Sequence, residues 1–353
     1  MNPKELANVL NKTIPAGLPT YTESPPGCGK SDIHQQVAES LGYGYMALYP
    51  ALHDPVDFSG LSFPVEIDGK RRLVRHLDDV LDSIFSAPAP LLVLIDELPQ
   101  AAPAVQAACA PFFHARQIGK WRMPDHVTVC GAGNSRADRA GANPILTHIL
   151  SRFASLLKLT VDTECWLERS AQDGIHSFIR SFIKFRPSLL HEFDAEKAYA
   201  TGTAYPNPRS WYNANRLLLA TEASLPADIE REVYAGCLGD GAAHQFCAHM
   251  RQARSTLDLE AIVVDGKKWK FPPAKELAMR WAFAFGVAGF ANRETLNRVF
   301  EITQDLFDQN EKEYAMCIVQ QTLLQDKQLG ETREFEQLAL GPIGKLFRSV
   351  SMA

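Results

Sequence analysis

The chain has no long apolar run. None of its hydrophobic stretches approaches the roughly 18 residues that a membrane-spanning helix needs, and the opening MNPKELANVLNK lacks the apolar centre of a secretory leader. A membrane role is therefore not expected, and the chain reads as a cytoplasmic protein. Cysteine is sparse and unpatterned. The seven, at positions 28, 109, 130, 165, 237, 247 and 317, form no C-x-x-C pair and have no histidines at zinc-ligand spacing. That argues against a disulfide framework or a structural zinc site. A basic excess is also missing: 36 Lys and Arg face 41 Asp and Glu, for a formal net charge of -5. That argues against a protein whose whole surface grips nucleic acid, although not against local basic patches. Internal repeats and low-complexity tracts are absent too.

What is present is an ordinary globular composition, 46% hydrophobic and 22% charged over 353 residues, enough for one large or two moderate domains. The first 160 or so residues alternate short apolar runs with helical patterns, as a parallel sheet wrapped by helices does. LLVLID (Leu91 to Asp96) and HVTVCGAGN (His126 to Asn134) read as buried strands ending in polar residues, where open α/β sheets place their ligands. Asp32 to Leu41 and Pro103 to Ala115 read as helices, the second shortened or bent by Pro111. Beyond Leu159 the strand signal fades. Segments such as WLERSAQDGIHSFIRSFIKF and PADIEREVYAGCL carry apolar residues at three-to-four spacing. The expected organisation is an α/β core over 1–160, a helical region over 161–270 and a helical extension over 271–353 whose last 25 residues look loosely specified.

The stretch ESPPGCGKSD, Glu23 to Asp32, is close to the phosphate-binding pattern G-x-x-x-x-G-K-[ST], with Ser24 where the first glycine belongs. A phosphate cradle needs converging backbone N–H groups, a helix N-terminus behind them, a lysine, and a hydroxyl for Mg2+. Gly27, Gly29, Lys30 and Ser31 supply these, and the binding stretch comprises Pro26, Gly27, Cys28, Gly29, Lys30, Ser31 and Asp32. The alternative is a glycine turn before a helix with an exposed lysine.

About 60 residues on, LLVLIDE ends in Asp96 and Glu97. Beside the loop, Asp96 with Ser31 would hold Mg2+ while Glu97 polarises the attacking water; otherwise this is a buried strand with a solvated acidic turn. Asn134 would help position water or sense a γ-phosphate, unless it is a turn asparagine. Arg152, in LTHILSRF, is placed to reach a neighbouring subunit's nucleotide, or else is a surface arginine in a salt bridge. Arg209, after a proline in YPNPRSW, suits a second phosphate sensor, or is a solvated arginine at a helix start.

These motifs in this order resemble the AAA+ ATPases, and in detail the MoxR-like branch. The likeness is carried by SPPGCGKS, DPVDFSGLSFP, LIDELPQAAPAVQAA, ARQIGKWRMPDHVTVCGAGN, DRAGANPILTHILSRF and NPRSW, over about residues 20 to 220. The resemblance implies a P-loop core with an all-α lid, ATP and Mg2+ as ligands, and a ring, commonly a hexamer, with ATP between subunits. It makes Gly27 to Ser31 the Walker A loop, Asp96 and Glu97 the Walker B pair, Asn134 sensor 1, Arg152 the arginine finger and Arg209 sensor 2. It also implies a separate protein partner, such as one with a von Willebrand A domain, with nucleic acid the less favoured alternative.

Two features depart from or extend the pattern. Cys28 inside the loop is expected as a partly exposed, oxidation-sensitive thiol. Family members also carry hairpin insertions facing the pore. Here SFPVEIDGKRRLV, Ser62 to Val74, with an Asp68-Gly69 turn, fits one. Its Lys70-Arg71-Arg72 run is either a contact to an acidic polymer or a charged, protected edge. VVDGKKWKFPP suggests another hairpin, or a strand with Trp269 packed.

Overall fold

The computed structural model describes residues 1–135, 143–194, 196, 200, 202–221 and 225–351. The chain falls into two compact units, Met1–Asp162 with Asp194–Gly202, and Thr163–Phe193 with Thr203–Ala353. The first unit runs α1 (Pro3–Thr13), β1 (Thr20–Glu23), α2 (Lys30–Ser40), β2 (Gly44–Leu48), β3 (Leu61–Ile67), β4 (Lys70–His76), α3 (Asp79–Phe85) and β5 (Leu91–Ile95). It continues through α4 (Pro103–Phe113), β6 (Gln117–Ile118), β7 (Trp121–Arg122), β8 (Val127–Gly133), α5 (Thr147–Leu150) and β9 (Ser155–Lys158).

Five strands form one sheet in the order β2-β5-β8-β1-β9, and every pairing in it is parallel. Parallel neighbours cannot be joined by tight turns, so the chain crosses over through helices and both sheet faces are covered. The alternation within β5 shows this directly. Leu92 and Leu94 pack with Leu6, Leu10, Val37 and Ala38 of α1 and α2. Val93 and Ile95 pack on the other face with Leu81, Ile84, Val105 and Phe112 of α3 and α4. The expected α/β P-loop fold with a parallel sheet flanked by helices is borne out.

β1 is where the connections reverse. From β1 the chain goes to the far edge strand β2, returns through β5 and β8, and then passes β1 to add β9 on its other side. The carboxyl end of such a strand is the crevice in which open α/β sheets hold ligands. Two small hairpins stand apart from this sheet. β3 and β4 pair from Leu61–His76 to Ile67–Lys70 around Asp68 and Gly69, both at positive φ (51° and 70°), as a two-residue turn of this hand requires. β6 and β7 form a shorter one across Gly119-Lys120.

The second unit's described residues form helices and no strand: α6 (Thr163–Gln172), α7 (Ser177–Phe185), α8 (Pro208–Ala220), α9 (Ala227–Leu238), α10 (Asp240–Thr256), α11 (Leu259–Val263), α12 (Leu277–Gly289), α13 (Leu296–Asp308), α14 (Lys312–Gln325), α15 (Arg333–Leu340) and α16 (Pro342–Ser351). Phe246 packs against Phe182, Trp211 and Tyr234 with ring centroids 5.2–5.4 Å apart. Helix α12 is buried on all sides from Met279 to Ala288, consistent with a sequence that is apolar there except at Arg280.

Two expectations are corrected here. Residues 266–273 form no strand, although Trp269 is packed, its ring 5.1 Å from that of Phe283; Pro272 and Pro273 remove ladder donors there. Most of the last 25 residues are helical rather than loosely specified: α15 starts on a Thr332 cap whose hydroxyl accepts from Phe335 N, and α16 starts at Pro342. Of the quoted DRAGANPILTHILSRF, residues 138–142 lie outside the described residues.

Gly133, the last residue of β8, has no room for a side chain. A Cβ there would meet the Pro99 ring and, at 2.6 Å, the Tyr21 hydroxyl. Gly133→Ala is expected to lower unfolding free energy by about 1–3 kcal/mol. Gly236→Ala, at an open position in α9, is expected to raise it by about 0.5–1 kcal/mol. Urea denaturation of both variants checks the contrast.

Candidate functional site

The loop after β1 turns on Gly27 and Gly29, whose φ angles of 75° and 84° suit glycine far better than any other residue. Gly29 is also the N-cap of α2 and has no side-chain cap, so the first N–H groups of that helix point outward at the carboxyl end of the sheet. This is the arrangement that attracts phosphate oxygens.

Ser24, the departure from the sequence pattern, is 2% exposed, and its backbone does not take the positive φ for which a glycine would be needed. Its hydroxyl donates to the Pro25 carbonyl oxygen at 2.8 Å and accepts from Lys30 Nζ at 3.0 Å. Lys30 is itself only 8% exposed. Its ammonium also donates to the Ser24 carbonyl oxygen (3.3 Å) and to Asn134 Oδ1 (2.7 Å), so three N–H groups meet three oxygens. Serine here supports the lysine rather than breaking the loop.

Asp96, 4% exposed at the end of β5, closes the other side. Ser31 Oγ donates to its Oδ2, and Glu97 N donates to its Oδ1 at 2.8 Å. Glu97 adopts φ 54°, ψ 30°, the left-handed region that costs a non-glycine residue roughly 1–3 kcal/mol. That bend turns the chain out of the strand directly after Asp96. Lys30, Ser31, Asp96 and Asn134, from three separate stretches of sequence, thus meet at one end of the sheet, with Glu97 adjoining. Among the described residues no cluster of three or more His, Cys, Asp or Glu could hold a metal. The Ser31–Asp96 pair fits a divalent cation only if phosphate oxygens and water complete its shell.

Other expected residues lie elsewhere. Arg152 donates through Nη1 to the carbonyl oxygen of His148, one turn earlier, and makes no hydrogen bond to the Lys30 cluster. Arg209 lies in the second unit, exposed in the first turn of α8 beside a capping box between Asn207 and Ser210. Cys28 is corrected: it is buried with Val37 and Leu94, and its thiol donates to the Pro26 carbonyl oxygen. Its sulfur helps seal the loop onto the core rather than presenting a reactive thiol.

Sequence reasoning missed His34. Fully buried, it donates from Nδ1 to the Lys30 carbonyl oxygen (2.8 Å), so in the neutral ring Nε2 accepts from Thr22 Oγ1 (3.4 Å). The ring ties the first turn of α2 to β1 beneath the loop. The available signal was a polar residue in helical phase with the buried Val37 and Ala38.

No family model and no curated protein matches the chain. Among solved structures it is similar to a "putative ATPase" from Cytophaga hutchinsonii (20% identity, 67% of this chain and 81% of that one, TM-score 0.35). It is also similar to the RuvB Holliday junction branch migration motor of Thermotoga maritima (14% identity, 78% and 79%, TM-score 0.38). At these scores the likeness carries no argument, and the fold rests on the sheet order and loop geometry above.

Burial pushes His34 below its ordinary pKa, and burial lowers His176 and His249 to about 4. Folded histidines that refuse a proton, set against an unfolded chain that accepts one near pH 6.5, mean stability is full above that pH and is lost as pH falls toward 4. Urea unfolding at pH 7.5 and pH 5.0 is expected to show this loss. His249→Phe, if it folds, is expected to show a smaller one.

Proposed function

We propose that this chain is a ring-forming ATPase, similar to the MoxR-like AAA+ proteins. It would bind and hydrolyse ATP between subunits, with Mg2+, to remodel or activate a separate protein partner, for example one with a von Willebrand A domain. The observation that carries this reading is the meeting of Lys30, Ser31, Asp96 and Asn134 at the carboxyl end of a parallel sheet, in front of an uncapped helix N-terminus.

In this reading the N–H groups from Gly27 to Asp32 and the Lys30 ammonium hold the phosphates. The Ser31 hydroxyl and the Asp96 carboxylate hold Mg2+, which neutralises charge on the phosphate oxygens. Glu97, just past Asp96, polarises the attacking water, and Asn134 orients it. Arg152 is offered to a neighbouring subunit's site as an arginine finger and Arg209 acts as a second sensor. That Arg152, among the described residues, bonds its own helix end suits a residue whose target lies on another chain.

A second reading, an ATPase that acts on nucleic acid, is favoured by the exposed hairpin of β3 and β4. Lys70, Arg71, Arg72 and Arg75 all stand exposed there beside Phe63. Binding to DNA that weakens steeply with salt would favour this reading over a protein partner.

ATP turnover measured together with particle mass tests the proposal. The parent chain is expected to hydrolyse ATP as a ring. Glu97→Gln is expected to keep ATP binding and assembly while losing turnover on the order of 100-fold or more. Arg152→Ala is expected to lose roughly a thousandfold with ATP still bound. A parent that neither binds nor hydrolyses ATP overturns the reading.

A further inference from the structure

The second unit holds a cavity of about 340 Å3 between helices α6, α7, α12 and α14, a volume within the range of small-molecule sites. Its floor is aromatic, with Trp281 and Phe285, and two lysines, Lys184 and Lys312, line it against two glutamates, Glu164 and Glu313. Those four charges cancel. The balance is set by a cation directly behind the wall.

Arg180 is 2% exposed and, among the described residues, faces no carboxylate within ion-pair distance. Its guanidinium lies over the Phe285 ring, 5.6 Å from the centroid. Nη1 donates to Gln321 Oε1 at 2.6 Å, and Nε has no partner among the described residues. Burial lowers its pKa to about 10. A buried guanidinium served by one neutral acceptor is under-compensated by several kcal/mol.

Gln321 connects that charge to the cavity. It lines the cavity and is 4% exposed. With Oε1 held by Arg180, its amide N–H groups have no partner among the described residues. A guanidinium on the oxygen of an amide polarises it and strengthens its N–H as a donor.

We propose that this cavity is a binding site for an aromatic carboxylate: the ring lies on Trp281 and Phe285, and the carboxylate accepts from the Gln321 amide, with Lys312 at the mouth. The uncompensated charge of Arg180 is what selects an anion, and the aromatic floor is what selects a ring. This site does not depend on the ATPase reading.

The test titrates the full chain with 1-naphthoate and with its neutral counterpart 1-naphthalenemethanol, by calorimetry and ligand-observed NMR. The expected result is saturable binding of the carboxylate at least about tenfold tighter than the alcohol, the worth of one charge-assisted hydrogen bond. Gln321→Glu is the decisive variant. Its carboxylate would pair with Arg180, so Tm is expected to hold or rise while 1-naphthoate binding falls by more than tenfold. If that variant fails to fold, Lys312→Ala, an exposed change, is expected to weaken 1-naphthoate several-fold and leave the alcohol unchanged. Equal affinity for acid and alcohol, no saturable binding by the parent, or undiminished 1-naphthoate binding in folded Gln321→Glu would each overturn the proposal.

Discussion

The first unit is organised around one buried ammonium. Taking the Lys30 charge out of water costs several kcal/mol unless each N–H finds an oxygen, and the oxygens come from Ser24 at the end of β1 and Asn134 at the end of β8. That requirement fixes where β1 must stop, which strand must lie beside it and which residue must begin α2. It also explains why the turn tolerates a serine: the Ser24 hydroxyl and carbonyl oxygen both accept from the lysine. Opposite the lysine, Asp96 binds Ser31 and the N–H of a strained Glu97. The Lys30 ammonium and the Ser31 hydroxyl, adjacent along α2, are thus held by different strand ends, the first by those of β1 and β8 and the second by that of β5.

Much of this was legible in the sequence for simple physical reasons. A strand buried on both faces reads as a continuous apolar run, so LLVLID and HVTVCGAGN identified β5 and β8, and the glycine-lysine-serine run marked the start of a helix. The illegible parts depend on packing between residues distant in sequence. His34 bonds Thr22 twelve residues away, and Cys28 is buried because Val37 and Leu94 close over it. Neither relation leaves a periodic trace. The β6–β7 hairpin did carry a local signal, Gly119-Lys120 between Ile118 and Trp121, but strands two residues long give alternation nothing to show. The packing of Trp269 was legible and holds, its ring against Phe283 of α12, but the strand expected to carry it does not form because two prolines follow.

The two arginines singled out by motif illustrate a different limit. Sequence can place an arginine at an element boundary but says nothing about where the guanidinium goes. In each case the neighbouring residue is an anchor. Phe153 is buried 5.3 Å from Tyr21 and 4.4 Å from Phe113, and Trp211 is fully buried with its indole N–H on the Leu189 carbonyl oxygen. The backbone at Arg152 and near Arg209 is therefore held in place by its buried aromatic neighbour, while the Arg152 guanidinium bonds its own helix end and Arg209 stands exposed.

Among the described residues of the second unit two arginines are buried, and the contrast between them carries the case for its cavity. Arg280 is paired with Glu311 and lies against Phe271 and Tyr314, at 4.5 and 4.7 Å from the ring centroids. Its Nε, like that of Arg180, has no partner among the described residues, but its charge is answered by a carboxylate within the fold. Arg180 has a similar depth of burial and one aromatic face, but an amide stands where Arg280 has a carboxylate. Glutamate at position 321 would complete it by the same logic. Glutamine instead leaves a net positive charge buried against the one wall that opens onto a cavity, and a fold that neutralises its other buried arginine internally has left this one for something that arrives from outside.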